Sequence, residues 1–157
     1  MPTQDELWQV IAGSTHGTLA TVGRDGGPQL SNILYVPDAA ARLVRISTTA
    51  DRVKARNLTR DARAALYVVG QDFWHYAVGS GTATLSAAAA TAGDPAANEL
   101  ADLHAAFYGS VDRPAFDEDM IANRRLVIRL GISRLSGVIA PAARRPVRPD
   151  GSAGSGR

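Results

Sequence analysis

The chain has 157 residues, of which 45% are hydrophobic, and it carries 17 basic and 15 acidic residues. This length and composition predict a single compact domain, residues 1–141, with one sizeable core. The absence of cysteine excludes a disulfide scaffold, a thiolate zinc site and a cysteine nucleophile. The three histidines, His16, His75 and His104, are too scattered in sequence to suggest metal-ligand spacing.

The excess basic charge is concentrated at the C-terminus. Residues 142–157 carry four arginines and one aspartate, so the rest of the chain has 13 basic and 14 acidic residues. The tail is rich in proline, glycine and serine, which predicts that it is disordered. A nearly neutral body predicts a protein that does not bind nucleic acid. Because the sequence has neither an apolar leader nor a run of about 18 apolar residues, we expect a cytoplasmic protein without membrane contact.

The first elements are a short helix and a hairpin. Thr3-x-x-Glu6 fits a capping box, which predicts a helix that ends at Gly13. The next segment predicts two strands joined by a tight hairpin at Asp25-Gly26, where positive φ angles are needed. Its sequence is GTLATVGRDGGPQLSNILYV.

Polar residues occur on both faces of the second hairpin strand. Side chains alternate between the two faces of a strand. One face therefore carries Gln29, Ser31, Ile33 and Tyr35, and the other carries Leu30, Asn32, Leu34 and Val36. This departs from the usual pattern, in which one face is apolar and the other is polar.

The remaining chain predicts more strands and two further helices. The segments RLVRIST, AALYVVG and RRLVIRLGISRLSGV predict one strand each, and FWHYAVGSGTATLS predicts one or two. A short helix is expected within residues 51–66. A longer helix should begin at Asp94-Pro95 and end at Gly109, and another should begin near Asp112. The fold class is therefore mainly β, an antiparallel barrel of six or seven short strands with a few short helices.

Residues 51–66, DRVKARNLTRDARAAL, contain the only lysine of the chain, Lys54, among several arginines. In a continuous helix Arg52 and Arg56 would share a face and Lys54 would point nearly opposite. In an extended approach to a helix, Arg52 and Lys54 would instead project to the same side, beside free backbone N–H groups that favour phosphate. Spacing alone does not distinguish such a phosphate site from a solvated basic helix face.

The motifs and their order over about residues 6–140 resemble a known family, the FMN-binding split β-barrel proteins related to pyridoxamine 5'-phosphate oxidase. The resemblance is to the coenzyme F420-dependent, deazaflavin-binding branch of mycobacteria and other actinobacteria. It lies in GTLATVGRDGGPQLSNI, STTADRVKARNLTRDARAAL, WHYAVGSGTATL and LGISRLSGV. The pattern R-x-K-x-R-N-L-x-R-D-x-R-A is the most specific of these. The resemblance implies a split β-barrel.

The resemblance also implies which residues bind the charged parts of the cofactor. Arg52 and Lys54 would hold its phosphate. Arg56 and Asn57 would engage the phosphate or the acidic oligoglutamate tail of F420.

Other residues would approach the ring. Ser47 and Thr48, at the end of their strand, would contact the edge of the deazaflavin. Gln29, Ser31 and Asn32 would approach the ring or its polyol chain, which would account for the polar residues of that strand.

The resemblance further implies a homodimer with its cofactor sites at the subunit interface. Trp74 and Tyr76 would then reach the site of the other chain. Ordinary packing in the core or in the dimer is the alternative for both aromatic residues.

In such a protein the cofactor supplies the chemistry. The implied activity is an F420H2-dependent reductase that transfers a hydride from the deazaflavin C5 to an activated alkene, a quinone or a lactone-like acceptor. No acid–base dyad is evident: His75 is expected to be structural, and Tyr35, Tyr76 or solvent could deliver a proton. Two alternatives remain, an FMN-dependent oxidoreductase of the same fold and a non-catalytic F420 carrier.

Overall fold

The computed structural model describes residues 1–141, so the predicted tail lies outside the described residues. Within them the strands are β1 His16–Val22, β2 Pro28–Leu34, β3 Val36–Asp38, β4 Leu43–Thr49, β5 Arg63–Val69, β6 His75–Leu85 and β7 Arg125–Ile139. The helices are α1 Gln4–Ala12, α2 Val53–Arg60, α3 Pro95–Tyr108 and α4 Arg113–Ala122. None of these helices is long and apolar enough to cross a membrane.

The strands form one antiparallel sheet in the order β2-β1-β5-β6-β7-β4-β3. The sheet curls into a half-barrel, which confirms the predicted mainly-β split barrel with seven strands and short helices. β2 is an edge strand that approaches β4 without pairing with it. We call the opening between β2 and β4 the seam.

Helices α1 and α3 begin and end where their caps predict. The Thr3 hydroxyl accepts a hydrogen bond from the Glu6 N–H at 3.1 Å, and the Glu6 carboxylate accepts one from the Thr3 N–H at 2.7 Å. The Asp94 carboxylate caps α3 by accepting from the Ala97 N–H at 2.8 Å. Side chains that satisfy the first N–H groups of a helix fix where it starts.

The hairpin of β1 and β2 is confirmed, but the predicted tight turn is wrong. The loop comprises residues 23–27, and within it Gly26 has a positive φ of 84° whereas Asp25 does not. The Asp25 carboxylate instead accepts a hydrogen bond from the Gly27 N–H at 2.9 Å. The Gly23 N–H donates to the Gly27 carbonyl at 2.7 Å. The flexible glycines thus allow a five-residue loop closed by its own hydrogen bonds.

The segment FWHYAVGSGTATLS forms one long strand, β6, with a register irregularity between Ser80 and Gly81. A Cβ atom on Gly81 would lie 1.8 Å from the Gly131 carbonyl oxygen, so a side chain does not fit at this crossing of β6 and β7. Phe73 and Trp74 lie in the turn before β6 rather than in the strand.

Two separate hydrophobic clusters stabilise the described residues. The larger fills the barrel and includes Ile11, Leu19, Ile46, Leu66 and Ile128. The smaller lies between α3, α4 and the outer face of the sheet, and includes Ala97, Leu100, Leu103, Met120 and Val127. Burial of apolar surface is the main favourable term in both. The second cluster holds the helical pair α3–α4 against the strands that border the seam.

Candidate functional site

A cavity of about 310 Å³ lies at the seam, and we call it the seam pocket. Its polar lining comes from three strands and the first turn of a helix: Asn32 of β2, Arg45 and Ser47 of β4, Lys54 of α2 and Arg125 of β7. Its apolar lining comes from β2, α3 and α4: Ile33, Leu34, Leu100, Leu103, Phe107, Phe116 and Met120, with the rings of His104 and Tyr108 beside them. The pocket therefore has a cationic part and an apolar part.

Within residues 1–141, none of the cations of the seam pocket forms a salt bridge. None of the described residues that line the pocket is a carboxylate. Arg125 donates from Nε and Nη2 to the Ser47 hydroxyl at 3.0 and 2.9 Å. The Nε of Arg45 is buried and has no hydrogen-bond partner within residues 1–141. Buried cationic groups without counter-charges favour the binding of an anion.

The pKa shifts of Lys54 and Arg125 agree with an anion-binding pocket. Burial lowers the pKa of Lys54, and the neighbouring charges of Arg52 and Arg125 lower it further. Burial also lowers the pKa of Arg125, against the opposing effect of Asp119. Both groups are therefore charged at a cost that a bound anion would offset.

Aromatic rings of α3 and α4 form one wall of the pocket. The His104 ring lies with its centroid 4.8 Å from that of Tyr108 and 5.2 Å from that of Phe116. Such distances are those of packed aromatic pairs. The pocket therefore has an aromatic wall in addition to its cations.

A buried carboxylate holds this helical pair together. Asp117 of α4 accepts hydrogen bonds from the Gly93 N–H at 2.9 Å and from the Arg113 guanidinium at 3.2 Å. Arg113 also donates to the Asn98 side chain of α3 at 2.8 Å. These bonds join the start of α3 to α4 and fix the position of the aromatic wall.

Helix α2 separates Lys54 from Arg52 and Arg56, as a continuous helix predicts, but the two arginines line different depressions rather than one shared face. Arg52 is the extended N-cap of α2 and lines a different depression, with Asp51 and Arg124. Arg56 and Asn57 lie toward the hairpin loop. Of the basic residues of this segment, Lys54 lines the seam pocket and the arginines do not.

Asn57 and Gln29 belong to a chain of hydrogen bonds that we call the hairpin network. The Asn57 amide donates to the Thr21 hydroxyl at 3.1 Å, and that hydroxyl donates to the Gln29 side chain at 3.1 Å. Arg60 donates to the Asn57 side-chain oxygen at 2.8 Å and to the Val22 carbonyl at 3.2 Å. These polar groups are satisfied within the fold.

The other predicted site residues of strands β2 and β4 divide between the two faces of the sheet. Asn32 and Ser47 line the seam pocket. Thr48 is only 4% exposed and lies on the opposite face of β4 from Ser47. Ser31 lies on the inner face of β2, where its hydroxyl is buried and has no hydrogen-bond partner among the described residues. The alternation of β4 thus separates the adjacent residues Ser47 and Thr48.

The predicted aromatic residues lie away from the seam pocket of their own chain. The Tyr76 ring lies 5.5 Å from the Tyr67 ring, and Trp74, which is 46% exposed, packs edge-on against Phe73 at 4.9 Å. Their predicted role in the site of a second chain stays a prediction.

Tyr35 is excluded as a proton source. Its side chain is buried in the barrel core, and its hydroxyl donates to the Ile11 carbonyl at 2.6 Å. Burial raises the pKa of Tyr35 to about 12. The ring does not line the seam pocket.

Sequence reasoning missed two cations of the pocket, Arg45 and Arg125, and its apolar and aromatic lining, including His104. Arg45 could have been found, because it lies two residues before Ser47 and therefore on the same face of the strand. The position of Arg125 depends on the pairing of β7 with β4, which local patterns do not reveal.

The chain matches known proteins over most of its length. The family model of pyridoxamine 5'-phosphate oxidase matches residues 3–138. A conserved hypothetical protein, Rv2991 from Mycobacterium tuberculosis, is 25% identical with a TM-score of 0.64, covering 86% of this chain and 83% of that one. A structure named F420 reductase is 21% identical with a TM-score of 0.63, covering 87% and 98%. A heme binding protein from Mycobacterium smegmatis is 25% identical with a TM-score of 0.59, covering 86% and 53%.

Proposed function

The chain belongs to the pyridoxamine 5'-phosphate oxidase family, which indicates an oxidoreductase, and from this premise we propose that it is an F420H2-dependent reductase. The proposed reaction transfers a hydride from the deazaflavin C5 to a small organic acceptor, such as an activated alkene, a quinone or a lactone-like compound. One observation carries the proposal. Lys54 lies in a pocket that combines several cations, no carboxylate among its described lining residues, and an apolar wall.

The residues of the seam pocket suit a phosphorylated cofactor with a flat ring. A phosphate needs cationic and N–H donors, and Lys54 and Arg125 supply them. Ser47 is held by Arg125, so its hydroxyl is fixed at the boundary between the cations and the ring-binding part. The buried, unpartnered Nε of Arg45 indicates a further polar group that the fold itself does not provide.

The ring of the cofactor would lie between β2 and the aromatic wall. Asn32 lines this part of the pocket from β2, and Phe107 and Phe116 line it from the helices. Apolar walls exclude water, which limits hydrolysis and loss of reducing equivalents. When bound, the reduced deazaflavin supplies the hydride, and the protein supplies binding, orientation and shielding.

F420 is preferred over FMN because the R-x-K-x-R-N-L-x-R-D-x-R-A pattern resembles the deazaflavin-binding branch, and because a protein named F420 reductase shares the fold. The phosphate-binding residues do not by themselves distinguish the two cofactors. The basic residues Arg24 and Arg56 near the hairpin loop would suit the acidic tail that F420 has and FMN lacks.

The proposed functional unit is a homodimer. Exposed apolar side chains lie on the outer face of β2, β5 and β7: Leu30, Leu34, Tyr67, Val69 and Val138. An exposed apolar patch of this kind is typical of an interface. Asn32 and Leu34 belong both to this face and to the rim of the seam pocket. A second copy on this face would close the pocket, and its Trp74 and Tyr76 would lie at the shared boundary.

Cofactor titration tests the proposal. Purified apo-protein is titrated with F420, FMN and hemin, with fluorescence for the first two and absorbance for hemin. We expect saturable binding of F420, with FMN at least about tenfold weaker. Tighter binding of FMN would favour the flavin-dependent alternative. Binding of hemin alone would refute both the F420-dependent and the FMN-dependent function. If F420 binds but no acceptor is reduced by F420H2, the carrier alternative is favoured.

Sedimentation velocity tests the dimer. We expect a dimer at micromolar concentration and a monomer for Leu30→Glu, because a buried carboxylate at an apolar interface is strongly unfavourable. Val53→Glu is the matched control, since Val53 is also an exposed apolar residue but lies on α2. A parent protein that is monomeric and still binds cofactor would contradict the interface proposal.

A further inference from the structure

Arg45 differs from the neighbouring arginine on the same sheet face. Arg45 of β4 pairs in register with Arg129 of β7. Arg129 is neutralised by Glu99 of α3, with Nε to Oε1 at 2.9 Å and a second bond from Nη2 to Oε2. Arg45 has no carboxylate partner among residues 1–141, and its Nε is buried without an acceptor. The fold therefore provides a counter-charge for one arginine of this pair and not for the other.

Arg45 also lies apart from the proposed phosphate ligands. Ser47 follows Arg45 on the same face of β4, and two residues of a strand span about 7 Å. Arg125 is engaged with Ser47, and Lys54 lies at the start of α2, beyond the end of β4. A phosphate held by Lys54 and Arg125 beyond the end of β4 would leave the Arg45 guanidinium without an anionic partner among residues 1–141.

The surroundings of Arg45 define what could bind there. The helical side of the pocket that it lines is formed by Leu100, Leu103, Phe107, Phe116 and Met120, and by the rings of His104 and Tyr108. A guanidinium is a planar fork that matches a carboxylate with two parallel hydrogen bonds. Apolar walls bind flat hydrocarbon or aromatic bodies.

We propose that the seam pocket selects a substrate that carries a carboxylate on a flat apolar body, and that Arg45 binds this carboxylate. This rests on the proposed function, in which the pocket also holds the cofactor. Arg45 is then a specificity-determining residue, whereas Lys54 binds the cofactor. The apolar body of the substrate would lie between the cofactor ring, on the β2 side of the pocket, and the aromatic wall of α3 and α4.

A matched pair of probes tests the proposal by binding. 2-Naphthoate and its neutral analogue 2-naphthamide are titrated calorimetrically into protein saturated with whichever of F420 and FMN it binds, or into the protein as purified if neither binds. We expect naphthoate to bind at least about tenfold more tightly than naphthamide, as is typical when a charge-assisted hydrogen bond is lost. In Arg45→Gln this preference should fall below about threefold.

Two further variants keep the test decisive. Arg45→Lys retains the charge but not the fork, so the preference should be intermediate. It also replaces Arg45→Gln if circular dichroism shows that the latter does not fold. Arg134→Gln is the control, because Arg134 is an exposed arginine of β7 outside the pocket. This variant should prefer naphthoate over naphthamide as strongly as the parent does.

Several results would overturn the proposal. Equal binding of the two probes by the parent, or no naphthoate binding at 1 mM, would do so. A preference that survives Arg45→Gln but disappears in Lys54→Ala would place the carboxylate at the phosphate ligands instead. If Arg45→Gln weakens F420 or FMN tenfold and keeps the naphthoate preference, Arg45 is a cofactor ligand and the proposed function stands. Failure of both cofactors to bind would refute the proposed function while the naphthoate comparison remains interpretable.

Discussion

The seam pocket and the hairpin network flank the same short helix, α2. They differ in whether their polar side chains have partners within the fold. In the hairpin network each side-chain amide has a partner: Asn57 bonds to Thr21 and Arg60, and Gln29 bonds to Thr21. In the seam pocket Lys54 and Arg45 have no acidic partner among the described residues. The hairpin network therefore contributes to the stability of the fold, whereas the unpaired groups of the seam pocket are those that we propose for a ligand.

The largest expected effect of a substitution concerns Lys54. Lys54→Ala should weaken cofactor binding by roughly ten- to a hundredfold, because it removes a charge-assisted hydrogen bond worth about 1.5–3 kcal/mol. The melting temperature of the apo-protein should not fall, since the lost cation has no partner in the fold. Fluorescence titration and thermal unfolding measure the two quantities. Unchanged affinity for both F420 and FMN would end the assignment of Lys54 to the phosphate.

Asn57→Leu should show the opposite pattern. Asn57 is 4% exposed, and its loss leaves the Thr21 hydroxyl and Arg60 each with one hydrogen-bond partner fewer. We expect a loss of about 1–3 kcal/mol of unfolding free energy and a melting temperature lower by roughly 3–10 °C. Cofactor affinity, measured well below the transition, should change by less than about threefold. An affinity loss as large as that of Lys54→Ala would make the hairpin network part of the site.

Arg60→Gln should have a smaller effect of the same kind. It removes hydrogen bonds to Asn57 and to the Val22 carbonyl at an exposed position, so about 0.5–1.5 kcal/mol of stability should be lost. The FMN dissociation constant should stay within about twofold of the parent value. A tenfold change would show that positive charge anywhere on α2 matters, and would remove the contrast between its two sides.

The smallest expected effect is a pH dependence of stability. The pKa of Lys54 is lowered in the folded protein from 10.5, mainly by burial. The unfolded chain therefore binds more protons between the lowered pKa and 10.5, and the stability contribution of Lys54 rises with pH across that window. Lys54→Met has no group that titrates in this window. It should be more stable than the parent below the window, and this difference in unfolding free energy should shrink as pH rises toward 10.5. The free energies of unfolding of both proteins are measured by denaturant unfolding at several pH values. If the two plots of this free energy against pH are parallel, Lys54 is not desolvated in the apo-protein.

The parts of the fold that depend on local chemistry could be predicted from sequence. The caps Thr3 and Asp94 set the starts of α1 and α3 because each acts on N–H groups within three residues. The tight turn at Asp25-Gly26 was wrong because a glycine-rich loop can close through its own hydrogen bonds over five residues. Neighbouring glycines therefore obscure the length of the hairpin loop.

Residues of the candidate pocket could be selected from the sequence only where they lie in the motifs that carry the family resemblance. Lys54, Ser47 and Asn32 were selected from motifs, and the structure brings them into one pocket. Arg125 could not be found in this way, because it contacts Ser47 across 78 positions of sequence through the pairing of β4 with β7. Arg52 was assigned to the same clamp as Lys54, yet the N-cap geometry of α2 directs it to another depression.

The presence of two hydrophobic clusters has a consequence for how such a protein can diversify. The barrel interior and the α3–α4 cluster are distinct and lie on opposite faces of the sheet. Substitutions at Leu103, Phe116 or Met120 would reshape the pocket wall without creating cavities in the barrel, because distant sites contribute nearly independently to stability. Lys54 and Arg125 would keep their positions on α2 and β7. A lineage could therefore change what the enzyme accepts, one helix residue at a time, while inheriting the same cofactor.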